Sequence, residues 1–157
     1  MPEYVEFGNV SKEHKAFVQT VLNVFSPFLE QYGFKKHRAE TGVHFTIVVY
    51  RKDDLYIKIS GHTFPDDKPF YYSLILGEGN SEDFQQCSKN SIPIWLLKNS
   101  VIKSSTLLDY PFPIDNGVAE NIEKAREDLI HYGSDYLKGD LTFFRKIRNQ
   151  QNDLLEF

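Results

Sequence analysis

The sequence predicts an α+β fold: an N-terminal helix, an antiparallel β-meander of three to five strands, then C-terminal helices packed on the sheet. Three observations lead there. Between Val43 and Leu76, apolar and polar residues alternate in runs separated by short polar turns, the period of half-buried strands. Ahead of that stretch, Phe17, Val21, Val24, Phe25, Phe28 and Tyr32 recur at steps of three and four, which describes one buried helical face. Behind it, Val118, Ile122, Ala125, Leu129, Tyr132 and Tyr136 repeat that spacing opposite a charged face. At 157 residues the chain has the length of one domain, residues 1–157, able to bury a core without disulfides or metals.

The elements follow in order. The first ten residues read as a surface segment or an added edge. Ser11 is placed as a helix N-cap, with Glu13 in the first turn where the helix dipole favours an acid. Pro27 interrupts the helix as a kink or as a restart capped by Ser26, and Gly33 stops it. A basic strand through Phe34 to Arg38, turning at Thr41-Gly42, precedes three better marked ones. Those are VHFTIVVYR, LYIKISGH and FYYSLIL, all rich in β-branched and aromatic residues. Read as a three-residue loop, Lys52-Asp53-Asp54 pairs Tyr50 with Tyr56, Ile47 with Ile59, Thr46 with Ser60 and His44 with His62. A slip by one residue from this register sends Lys58 into the core.

Beyond the strands, Ser81 reads as a cap for a short helix through Phe84 and Cys87, and Pro93 opens a turn carrying Ile94, Trp95, Leu96 and Leu97. That cluster is core packing or a docking patch. Residues 98–114, with Pro111 and Pro113, read as an irregular connection. Gly133 is a candidate interruption of the helix from Val118, and Gly139 its end. Asp140 then caps a last helix with Leu141, Phe144 and Ile147 inward, Arg145, Lys146 and Arg148 facing water, and a frayed tail from Asn149.

Composition excludes several classes. An apolar share of 41% with 13 Phe and 9 Tyr argues for a packed core rather than disorder. The single cysteine, Cys87, forms no internal bridge, which suits a reducing compartment. No basic start followed by an apolar run suggests secretion, and no apolar stretch has the length of a membrane span, so a soluble cytoplasmic protein is expected. A net charge of −4, with basic residues scattered, argues against nucleic acid.

No chemical signature emerges. Gly77-Glu78-Gly79-Asn80-Ser81 lacks the lysine of a phosphate loop and carries acids that repel one. His44 and His62, placed opposite each other by the register above, lack the third ligand that zinc needs, so no metal and no cofactor is assigned. Cys87 sits on an apolar face without a base beside it, no nucleophile elbow is present, and no catalytic residue is assigned. The most distinctive surface is the second face of the sheet, and the binding residues expected from it are His44, Thr46, Tyr50, Tyr56, His62 and Tyr71. That face is an open platform or is covered by the C-terminal helices.

The run YGFKKHR closing the first helix, the strands VHFTIVVYRKDDLYIKI and the segment Tyr132-Gly133-Ser134-Asp135-Tyr136-Leu137-Lys138-Gly139-Asp140-Leu141 resemble small uncharacterised bacterial families found among toxin-immunity proteins. The resemblance implies a non-enzymatic bacterial antidote that occludes a toxin's active site, an acidic surface meeting a basic one. It carries no catalytic residue. The expected function is therefore a protein-interaction module with a protein partner. The alternatives are a small-molecule-binding domain or enzyme with a pocket between the sheet and the C-terminal helices, and a homo-dimer joined along the sheet edge.

Overall fold

The structure, a computed structural model, describes residues 3–80, 82, 90–114 and 117–155, with Leu154 and Leu155 by backbone alone. Ser81, Phe84 and Cys87, with the short helix expected there, lie outside the described residues. The chain is α+β. Its strands are β1 (Val5–Phe7), β2 (Lys35–Gly42), β3 (Phe45–Lys52), β4 (Leu55–His62), β5 (Tyr72–Glu78) and β6 (Ser91–Pro93). Its helices are α1 (Lys12–Glu30), α2 (Ile94–Ile102), α3 (Val118–Leu137) and α4 (Thr142–Leu155).

The six strands form one sheet in sequence order. All neighbours are antiparallel except β1, which runs parallel to β2. The expected purely antiparallel meander of three to five strands is thus corrected to a mixed sheet of six. The additions, β1 and β6, have three residues each, too few for an alternation to show.

Ser11 caps α1 by accepting from the His14 backbone N–H. The helix continues through Pro27, which lies exposed, so there is neither break nor restart. Gly33, at φ +89°, ends it as expected, while the Phe34 N–H returns to the Leu29 carbonyl. Phe17, Val18, Val21, Phe25 and Leu29 on the inner face of α1 are wholly buried, each side chain contributing about 1.5–3 kcal/mol. They meet Val48 and Tyr50 of β3, Ile57 and Ile59 of β4, and Tyr72, Leu74 and Leu76 of β5. Helices α1 and α3 pack against each other, so the helical layer gathers on one face and does not divide between two.

The β3–β4 register differs by one residue from the expected one. Lys52 pairs with Leu55, Tyr50 with Ile57, Val48 with Ile59 and Phe45 with His62. The loop is the two residues Asp53-Asp54, with Asp53 at φ +52°, a left-handed conformation that Asp tolerates. Ile47, Val49, Tyr56 and Lys58 consequently face away from the helices. That outer face is partly covered by the chain leaving β5. Arg51 donates to the carbonyls of Gly79 (2.9 Å) and Asn80 (3.0 Å) and pairs with Glu82. Lys58 donates to the Glu82 carbonyl (3.0 Å), so it is only 9% exposed without entering the helical core.

Helix α2 extends to Ile102, where an irregular connection was expected to begin at Lys98. Leu97 is buried, and Trp95 and Leu96 pack partly buried on the core. Helix α3 runs through Gly133 uninterrupted, because a Cβ there would sit 2.7 Å from Leu129 Cδ1 and 3.4 Å from Leu76 Cδ2, a close helix-to-sheet approach. The Tyr136 hydroxyl lies 2.7 Å from the carbonyls of both Tyr56 and Gly77. Helix α4 persists to Leu155, no glycine or proline interrupting it, where a frayed tail was expected. Arg148 turns inward and, together with Arg145, grips Glu78 on β5.

Candidate functional site

Chemistry concentrates at the end of the sheet where α1 begins, β4 ends and the β4–β5 connection starts. The spacing of α1 puts His14 on the face of Phe17 and Val21, so its ring is driven into the core and is 0% exposed. Its ring lies 4.8 Å from Phe112, which in turn lies 4.8 Å from Phe17.

Both ring nitrogens have partners. His14 Nδ1 lies 2.8 Å from Thr46 Oγ1 and Nε2 lies 3.0 Å from Thr63 Oγ1. Thr46 Oγ1 is 2.8 Å from Thr41 Oγ1, and the Thr41 hydroxyl donates to the Phe45 carbonyl (3.1 Å). A hydroxyl has one proton, and a neutral imidazole has one donor and one acceptor nitrogen. Only one arrangement then makes every contact a hydrogen bond. Thr41 gives its proton to the carbonyl, Thr46 donates to Thr41, His14 Nδ1–H donates to Thr46, and Thr63 donates to Nε2. Burial pushes the His14 pKa down to about 4, with His44 and His62 adding to the depression and Glu13 opposing it, so the ring is neutral at physiological pH. Thr63 is left as an acceptor only toward anything else it meets.

Thr63 and His44 stand on the wall of an open cleft of about 360 Å³. Ser11, the cap of α1, and Glu13 of α1 form one side, Pro65, Lys68 and Phe70 of the β4–β5 connection another, and Val43 and Ile114 complete it. Lys68 Nζ sits 6.0 Å from the centre of the Phe70 ring. Beside the cleft, Phe64 stands between two imidazoles, 5.8 Å from His44 and 5.6 Å from His62. His62 is also 3.6 Å from Asp67, and Phe45, its cross-strand partner, contacts Phe7 of β1 at 6.0 Å. Phe64 is 46% and Phe7 51% exposed.

The expected binding residues scatter over this frame. His44 and His62 come to the same end, but Phe45, not His44, opposes His62, and the two imidazoles meet across Phe64. Thr46 joins them from inside, through the hydrogen-bond chain. Tyr50 points under the helices, its hydroxyl 2.8 Å from Ser26 Oγ and its pKa pushed up to about 12 by burial. Tyr56 faces the other side, buried beneath Arg51 and donating to Asn90 Oδ1 (3.0 Å). Tyr71, half-buried, bridges to Pro111 at the start of β5. No group of three or more potential metal ligands occurs among the described residues.

A separate polar cluster has a structural task. Buried Asp128 on α3 accepts from the Tyr110 hydroxyl (2.7 Å) and pairs with Lys98 (3.4 Å). Tyr72 donates to Asn121 Oδ1 (2.8 Å) nearby. The Tyr110–Asp128 bond, with Asn121 Nδ2 donating to the Pro111 carbonyl (3.4 Å), ties residues 110–111 to α3 next to Phe112, which lies over His14.

His14, Thr63, Glu13 and Lys68 were not expected at a site. For His14 a signal existed, since it falls three residues before Phe17 on the apolar face. Thr63 had none, because its partner lies 49 residues away. Comparison with protein-family models, curated proteins and solved structures gives no match to the chain. No helix among the described residues is long and apolar enough to cross a membrane.

Proposed function

We propose that the chain is a non-enzymatic protein-interaction module acting in the bacterial cytoplasm, of the kind represented by the toxin-immunity families it resembles. One observation carries the reading. The end of the sheet presents a continuous aromatic surface, Phe7, Phe45, His62, Phe64 and His44, to solvent, and exposed aromatic clusters of this kind are enriched at protein interfaces. The net charge of −4 suits a basic partner, with electrostatic steering adding to the association rate. The hydrogen-bond chain at His14 speaks against a nucleophilic threonine at Thr63. Its third member is a hydroxyl with no charge to stabilise an imidazolium, and the depressed pKa makes the ring a weak base.

The test is a capture from source lysate by the tagged chain, run beside a Phe64→Ser variant. Phe64 is exposed, so the variant keeps the fold. A stoichiometric protein retained by the native chain and lost with Phe64→Ser supports the reading. Equal retention by both, or no retained protein, refutes it.

A further inference from the structure

We infer that the cleft bounded by Glu13, Thr63 and Lys68 is a binding site for a small zwitterion, an α-amino acid with an apolar side chain. The inference does not depend on a protein partner. Its volume of about 360 Å³ sits at the lower end of ligand-sized pockets, roughly 300–1,000 Å³, which limits the occupant to something near the size of one amino acid.

Charge decides the class. Glu13, an acid, lines the cleft from α1, and Lys68, a base, lines it from the β4–β5 connection. Among the described residues neither has an opposite charge within ion-pair distance, and Lys68 has only the Phe70 ring beneath it. Thr63 adds a constraint that exposure alone does not reveal. Its proton is committed to His14 Nε2, so the hydroxyl offers the cleft an acceptor and no donor. A simple anion would meet Glu13 and an acceptor-only oxygen. A simple cation would meet Lys68. A ligand with an ammonium and a carboxylate on one carbon satisfies both, the ammonium toward Glu13 and Thr63 and the carboxylate toward Lys68. Of the remaining surface Val43, Pro65, Phe70 and Ile114 supply the apolar part, with Ser11 and His44 completing the wall, and that apolar part favours an apolar side chain.

The experiment is a titration of the whole chain by amide chemical shift, with L-leucine and L-phenylalanine as probes. N-acetyl-leucine, which lacks the ammonium, and leucinamide, which lacks the carboxylate, are the controls. At least one free amino acid is expected to move the Val43 and Thr63 resonances saturably, and both controls to bind at least tenfold more weakly. Glu13→Gln and Lys68→Met, at residues that form no ion pair among the described residues, are each expected to weaken the free amino acid by at least tenfold. No saturable shift from either amino acid overturns the proposal. So does N-acetyl-leucine or leucinamide binding as tightly as leucine, or affinity unchanged in both variants.

Discussion

His14 makes stability depend on pH in a window set by its burial. An imidazole in the unfolded chain titrates near 6.5 and the folded one near 4. Between those values the unfolded state binds the extra proton, so folding stability is complete above about pH 6.5 and falls as the pH drops. The linkage relation puts the loss at about 2.5 kcal/mol by pH 4.5, and it levels off below the folded value. The groups facing the ring support this sign, with Glu13 opposing it. Thr46 and Thr63 are neutral, Phe112 is apolar, and protonation of His44 or His62 lowers the affinity of His14 for a proton further. The assay is urea unfolding of the native chain and of His14→Gln at pH 7.5, 6.0, 5.0 and 4.5. Carboxylates titrate in both proteins and largely cancel in the difference. Native stability is expected to drop relative to the variant by about 2.5 kcal/mol across the series. A difference that stays constant within about 0.5 kcal/mol would refute the reasoning, as would an NMR titration of the imidazole with its midpoint near 6.5.

Three further outcomes follow from packing and hydrogen bonding. Gly77→Ala sets a Cβ 2.1 Å from Tyr56 Cζ, whereas Gly117→Ala meets nothing within 4 Å. The first is expected to lower stability by about 1–3 kcal/mol and the second to stay within about 0.5 kcal/mol, as thermal unfolding will show. Tyr136→Phe removes the one proton shared by the buried carbonyls of Tyr56 and Gly77, a loss of about 1–3 kcal/mol in urea unfolding. Asp128→Ala strands the Tyr110 hydroxyl and Lys98, at a cost of about 3–5 kcal/mol. Equal stability of Asp128→Ala and the native chain would show that the cluster holds nothing in place.

What the sequence made legible tracks how one-sided each element is. In β4, Leu55, Ile57 and Ile59 alternate with Lys58 and Ser60, and this strand faces the helices as its pattern requires. In β3 both parities are apolar, Ile47 and Val49 against Val48 and Tyr50, so hydrophobicity cannot choose between them. The register then hung on loop length, and Asp-Asp serves in a two-residue turn as well as a three-residue one once Asp53 accepts a positive φ. Lys58 shows the same limit from the other side, because its burial comes from the strand-leaving segment at Glu82 and not from the helices. Helices α1 and α3 were legible from their stripes. Helix α2, IWLLKNSVI, is apolar nearly all round, and such a segment announces a core without announcing a face. The candidate site was visible in its outer members, His44 and His62, and in one inner one, Thr46. What joins Thr46 to His14 and Thr63 is tertiary contact between α1, β3 and the β4–β5 connection, which no local pattern encodes.

The hydrogen-bond chain from Thr63 to the Phe45 carbonyl has a single direction, and that direction is set at its far end. Thr41, on β2 and not among the walls of the cleft, is where the last proton goes. With valine in its place, Thr46 loses its acceptor and is free to turn its proton onto His14 Nδ1. The ring then carries its hydrogen on Nε2, and Thr63, now receiving that hydrogen, releases its own toward solvent. A methyl for a hydroxyl two strands from the edge of β4 thus converts the cleft from a lone-pair surface to a proton-giving one. Its preference among ligands is an inherited property of the sheet interior, open to change with every wall residue intact.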